Sequence, residues 1–170
     1  MSIINTNFSS LLALILVGKL IGVSPVWAGT ATSSLSISAI IPPLVNVDTT
    51  PLNNINYDSS TGSDVQSQIV VTASVGSTIT ITIDQGSNPG NNSNDINPIR
   101  RMSDGQGNFL NYVLTKDASH TEDWGNNSQT GVILSGTGSQ QTITYYLRIL
   151  PNQNTQAGNY TDTLQMTTSY

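Results

Sequence analysis

Apolar and polar residues alternate along most of this chain with a period of two, and no stretch holds a helical apolar period over several turns. A strand with one buried face needs such alternation, because successive side chains point to opposite sides of a sheet. Residues 35–41 begin the pattern, with Leu35, Ile37, Ala39 and Ile41 in phase, and Pro42 and Pro43 end it. Residues 44–47 resume it briefly, and residues 48–64 are rich in turn formers. Strands are predicted over residues 66–74 and 78–84, with Gly76 as the break between them and Ile79, Ile81 and Ile83 sharing one face. A long loop of Asn, Gly, Ser and Pro covers residues 86–98. Residues 109–116 set Leu110, Tyr112 and Leu114 on one side, and residues 132–134 form a short strand ending at the turn Gly136, Thr137, Gly138. Residues 141–150 align Ile143, Tyr145, Leu147 and Ile149. After a loop over 151–158, residues 159–170 carry Tyr160, Leu164, Met166 and Tyr170 on one face. Short strands at regular spacing, joined by Gly, Asn and Pro turns, predict an all-β sandwich.

The chain stops inside that final strand, on an aromatic residue. An exposed hydrophobic edge invites uncontrolled pairing, so a further strand from elsewhere is expected to cover it.

Composition narrows the partners. Charged residues make up only 9% of the 170 residues, against roughly 25% in an average soluble protein. Thr, Ser, Asn, Gln and Gly fill the gap, which suits pleated strands and turns with a neutral polar surface. Net charge is −5, and beyond the first 28 residues the only cations are Arg100, Arg101, Lys116 and Arg148. Four cations cannot neutralise a phosphate backbone, so no nucleic-acid partner is expected, nor an anionic membrane surface. With no cysteine to report the redox compartment, the N-terminus must do so. The apolar run Leu11 to Val17 precedes Val26, Trp27 and Ala28, which predicts a signal peptide over residues 1–28, cleaved between Ala28 and Gly29.

Candidate chemistry is sparse. His120 is the only histidine; its neighbours Glu122 and Asp123 make a weak metal site conceivable, but a solvated loop is the better reading. No Gly-x-Ser-x-Gly elbow is present, so no hydrolase is indicated. Residues 104–108 lack the carboxylate density of a calcium loop and read as a hairpin turn. Arg100 and Arg101 are expected to find acidic partners such as Asp84 or Asp95. Trp124 is a conceivable sugar platform, though a place in the fold is preferred. No catalytic residue, cofactor, metal or small-molecule substrate is expected.

One resemblance is specific. Arg100, Arg101 and Met102, then Asn108 to Leu114, Asp117, Trp124 and Gly125, Thr142 to Ile149, Gln153, Ala157 to Leu164 and Tyr170 form an ordered set over about 70 residues. This set resembles the spore coat protein U-like domain, the subunit domain of archaic chaperone–usher pili of the Csu type. The resemblance implies an immunoglobulin-like β-sandwich that lacks its last strand and is completed by donor-strand complementation. It implies three segments: the signal peptide, an N-terminal extension and donor strand over residues 29–43, and the sandwich domain over 44–170. The implied donor positions are Leu35, Ile37, Ala39 and Ile41, and the implied acceptor-groove edge is Tyr160, Leu164, Met166 and Tyr170. Three large aliphatic chains at about 1.5–3 kcal/mol each would supply roughly 5–9 kcal/mol of burial. The expected partners are identical or related pilus subunits, a periplasmic chaperone and an outer-membrane usher. Export through the periplasm to a cell-surface fibre, serving attachment or biofilm formation, would follow. A tip adhesin or carbohydrate-binding module, and a self-complemented secreted coat or matrix protein, are the alternatives. The family's cysteine pair is absent, and Leu44 and Ala73 stand in its places, where they are expected to fill similar space.

Overall fold

The computed structural model describes residues 32–170, so the predicted signal peptide and its cleavage point at Ala28 and Gly29 lie outside the described residues. The chain divides into two units, Met1–Ala39 and Ile40–Tyr170. Of the first, residues 32–39 are described, and they contain neither helix nor strand.

The second unit is all-β. Its strands are β1 (Val45–Thr49), β2 (Ser63–Ala73), β3 (Thr78–Ile83), β4 (Arg100–Ser103), β5 (Phe109–Thr115), β6 (Val132–Ser135), β7 (Gln140–Ile149) and β8 (Met166–Ser169). They form a five-stranded sheet, β1-β2-β7-β5-β4, and a three-stranded sheet, β6-β3-β8. Every pairing is antiparallel. The expected alternation is what buries the core. Ile69, Val71 and Ala73 of β2, Ile79, Ile81 and Ile83 of β3, Leu110, Tyr112 and Leu114 of β5, and Leu147 and Ile149 of β7 close around Trp124. Two apolar faces meeting in this way exclude water from both sheets at once, which is why period-two sequences settle as a sandwich.

The turns follow their chemistry. Between β2 and β3, Gly76 sits at φ 79° and the Ser77 amide donates to the Ser74 carbonyl, so the break predicted there is a tight turn. Between β4 and β5, the Asp104 carboxylate accepts from the amides of Gln106 and Asn108. Residues 104–108 are therefore a hairpin turn, as expected.

Two expectations need correction. β4 was not foreseen, because Arg100 to Ser103 show no apolar alternation. The last strand is shorter than residues 159–170. Thr161 bridges Ser103 at the β4 edge, whereas Met166 pairs with Ile83 of β3. The chain thus changes sheets between these points, and its backbone there is held largely by side chains, with one backbone bond from the Asp84 amide to the Gln165 carbonyl. The burial alternation nevertheless persists through Tyr160, Asp162, Leu164, Met166 and Thr168.

Ile81 is fully buried at the centre of β3 and should behave as a core residue. Ile81→Ala is expected to lower unfolding free energy by about 2–5 kcal/mol in urea titration of the purified chain. A change of a few tenths would mean that the two sheets do not pack as described.

Candidate functional site

The three-stranded sheet ends at β8. This strand pairs with β3 through Ile83–Met166, Thr82–Thr167, Ile81–Thr168 and Thr80–Ser169, and no strand among the described residues lies on its other side. One row of β8 backbone donors and acceptors is therefore unpaired by any described strand. The core-facing side chains of β8 and the segment entering it are incompletely covered: Tyr160, Leu164 and Met166 pack on the core but are only half-buried, and Tyr170, just after β8, is 68% exposed. Leu52, Ile55 and Tyr57, in the segment after β1, are half-buried against the same core. Of the four predicted edge residues only Met166 stands in β8; Tyr160 and Leu164 lie in the segment that enters it, and Tyr170 lies beyond the last paired position.

The segment entering β8 is fixed from below. Asp162 accepts from the buried Tyr112 hydroxyl at 2.7 Å and from the Ser87 amide at 2.9 Å. Gly86, at φ 79°, passes so close that a Cβ there would meet the Asp162 carboxylate, so glycine is required on steric as well as backbone grounds. Asp84 and Gln165 exchange bonds, the Gln165 amide to the Asp84 carboxylate and the Asp84 amide to the Gln165 carbonyl. Burial, followed by the hydrogen bond and charge of Asp162, pushes the Tyr112 phenol above its ordinary value.

Beneath this lies a buried cation. Arg100 is 1% exposed, yet no carboxylate pairs with it. Its guanidinium instead donates to the backbone carbonyls of Ile83 (3.0 Å), Asp84 (2.7 Å from Nη2, 2.9 Å from Nε) and Trp124 (2.6 Å). The expected acidic partner is therefore corrected: carbonyl dipoles hold the charge at contact, with Asp84, Asp123 and Asp162 acting from farther off. Burial lowers its proton affinity, and the surrounding negative charge opposes that shift. Trp124 adds a third tie, its indole N–H donating to the Ile81 carbonyl at 2.9 Å. Arg101 lies over the Phe109 ring at 4.0 Å and donates to the Asn88 and Pro89 carbonyls, again without a carboxylate.

Other expectations divide. Leu35, Ile37 and Ile41 are 86–87% exposed, and Ala39 is exposed too; residues 32–43 form no strand. Trp124 is completely buried, so its ring is no sugar platform. His120 is not a solvated loop residue. Its side chain is 13% exposed, with Nε2 3.1 Å from Asp64 and Nδ1 3.0 Å from the Thr115 hydroxyl. The loop around it is closed by Asp117, whose carboxyl is held below the usual range by the Ser119 hydroxyl and by the amides of Glu122 and Thr121. Leu44 and Ala73 do not fill one space: Leu44 is 74% exposed, and Val45 is the residue opposite buried Ala73. The pairing of Tyr112 with Asp162 was missed. Both residues fell within the resembling segments, but nothing local in the sequence joins positions fifty apart.

Two packed antiparallel sheets, one ending in a half-covered edge strand, define an immunoglobulin-like β-sandwich. The model of the Spore Coat Protein U domain family matches residues 30–167, and the chain belongs to that family. It is 30% identical to Protein U of Myxococcus xanthus over 164 residues, which cover 89% of this chain and 92% of that protein. Among solved structures it is similar to a chain of the CsuC–CsuE chaperone–tip adhesion subunit pre-assembly complex from archaic chaperone–usher Csu pili of Acinetobacter baumannii. The TM-score is 0.58 at 20% identity, over 76% of this chain and 40% of that one. This likeness supports the fold.

Two outcomes test the buried network. Arg100→Met leaves three carbonyls without their donor and should cost about 3–5 kcal/mol in chemical denaturation. Tyr112 gives a signed pH dependence. A phenol raised above its ordinary value of 10.0 contributes fully below that pH and loses its contribution as pH rises. Stability of the parent chain should therefore fall in alkali more steeply than that of Tyr112→Phe, measured by thermal unfolding across alkaline buffers. Equal slopes would place the phenol in water.

Proposed function

We propose that this chain is a structural, non-enzymatic subunit of a surface fibre assembled by the chaperone–usher route. Its β8 edge receives an extended donor segment from another subunit. The observation that carries the reading is the edge itself: a strand paired on one side by β3, unpaired on the other by any described strand, above a half-covered apolar row. Family membership supports it, as does the nature of the similar solved complex, a chaperone with a tip adhesion subunit of a pilus.

The donor we assign is residues 29–43, with Leu35, Ile37, Ala39 and Ile41 entering the groove along Leu164, Met166 and Tyr170. β-Strand addition suits this pair, since the backbone completes the sheet while alternate side chains give the fit. Ser36 and Ser38 would then face solvent. Pro42 and Pro43 lack backbone donors and so end the pairing register where the domain begins. A periplasmic chaperone would occupy the same edge before assembly, and an outer-membrane usher would mediate the exchange. Processing after Ala28 would free the donor, and the fibre would serve surface attachment or biofilm formation.

Co-expression with a periplasmic chaperone tests the proposal. Removing residues 30–41, or introducing Ile37→Asp, should abolish polymers in gel filtration and electron microscopy while a chaperone complex still forms. Polymers at the parental yield from either variant would refute the donor assignment. A stable, folded monomer lacking both donor and chaperone would refute the open edge.

A further inference from the structure

The five-stranded sheet has an outer face that strand exchange leaves unused. On β2 and β7 the register sets Asp64 opposite Arg148, Gln66 opposite Tyr146, Gln68 opposite Thr144 and Val70 opposite Thr142. Asp48 of β1 lies opposite Val70. Alternation turns these side chains away from the core, and Gln66 and Gln68 are exposed.

Two adjoining polar hollows lie on this face and share Gln66. One, of about 380 Å³, is bounded by Asp48, Thr50, Gln66, Gln68 and Val70. The other, of about 320 Å³, is bounded by Asp64, Gln66, His120, Tyr146 and Arg148. In the second, the charges are already matched: Asp64 lies 3.1 Å from His120 Nε2 and 3.8 Å from Arg148 Nε. An anionic ligand there would have to displace Asp64 from Arg148, and Asp48 sets a second carboxylate on the adjoining hollow. The uncharged groups are of a different kind. Glutamine amides and threonine hydroxyls each offer donors and acceptors together, as a polyol requires, and Tyr146 adds a ring with a polar tip. That ring is held in place, because His120 meets it edge-on at 6.4 Å and is itself anchored on the buried Thr115. A pre-positioned ring beside amides and hydroxyls suits sugar hydroxyls and the apolar face of a pyranose.

We infer that this outer face binds a neutral polysaccharide, with Tyr146 as the stacking surface and Gln66 joining two successive sugar positions. Two contiguous hollows favour a chain over a single sugar. The inference is independent of the donor strand, since it uses neither β8 nor residues 29–43.

Affinity electrophoresis of the full chain, in its chaperone-bound or assembled form, tests it. Native gels are cast with dextran or hydroxyethyl cellulose as neutral probes and alginate as the anionic one. Migration should be retarded by at least one neutral probe and not by alginate. Tyr146→Ala should weaken that retardation about tenfold, and Gln66→Ala with Gln68→Ala should weaken it by a similar factor. Thr80→Val, on the outer face of the other sheet, should leave it unchanged. The glutamine pair is exposed, so it reads the site even where the tyrosine variant fails to fold. No retardation in either neutral gel, retardation in alginate of equal strength, or full retention in the glutamine variant would overturn the inference.

Discussion

A positive charge sealed inside the sandwich sets the terms for the rest of the molecule. Arg100 reaches three carbonyls from two separate stretches of chain, the end of β3 and the loop carrying Trp124. Desolvating a guanidinium is tolerable only when its donors are matched in place, so these stretches must arrive together. Trp124 then bonds back to Ile81, and the Ile83 amide donates to the Gly125 carbonyl. β3 is thereby held at its centre and at its end, and β3 is the strand on which β8 is laid. The exposed edge rests on a polar cluster that cannot shift without stranding a charge.

The same economy explains how the final segment turns from one sheet to the other. A chain leaving one ladder for another must satisfy its backbone in between. Asp162 and Asp84 do so with side-chain carboxylates, and Tyr112 holds Asp162 from inside the core. The β8 edge is thus positioned by hydrogen bonds, whereas under the proposed strand exchange its affinity for a donor would come from the uncovered apolar row.

Much of the fold was legible because burial on one face imposes alternation. β3, β5 and β7 showed it plainly, since Ile79 to Ile83, Leu110 to Leu114 and Ile143 to Ile149 each present an apolar side to the core. β4 was invisible for the opposite reason: its inward positions are Arg100, whose partners are carbonyls without a side-chain signature, and Met102, one apolar residue that makes no alternation. The overlong final strand came from reading alternation as ladder. Side chains keep their two-fold facing through residues 160–168 while the hydrogen-bond partner changes. His120 looked solvated because its contacts, Asp64 and Thr115, stand on β2 and β5 instead of its own loop. For the edge, the apolar row of residues 160–166 was readable, but the latch beneath it depends on pairings distant in sequence.

The family that this chain resembles often carries a cysteine pair on its first two strands; here Val45 faces Ala73, and the 170 residues contain no sulfhydryl. Its maturation therefore includes no oxidative step and offers no thiol for mispairing. The folded unit owes nothing to the oxidants of its surroundings, and a reductant that would loosen a stapled relative leaves this one's covalent structure unchanged.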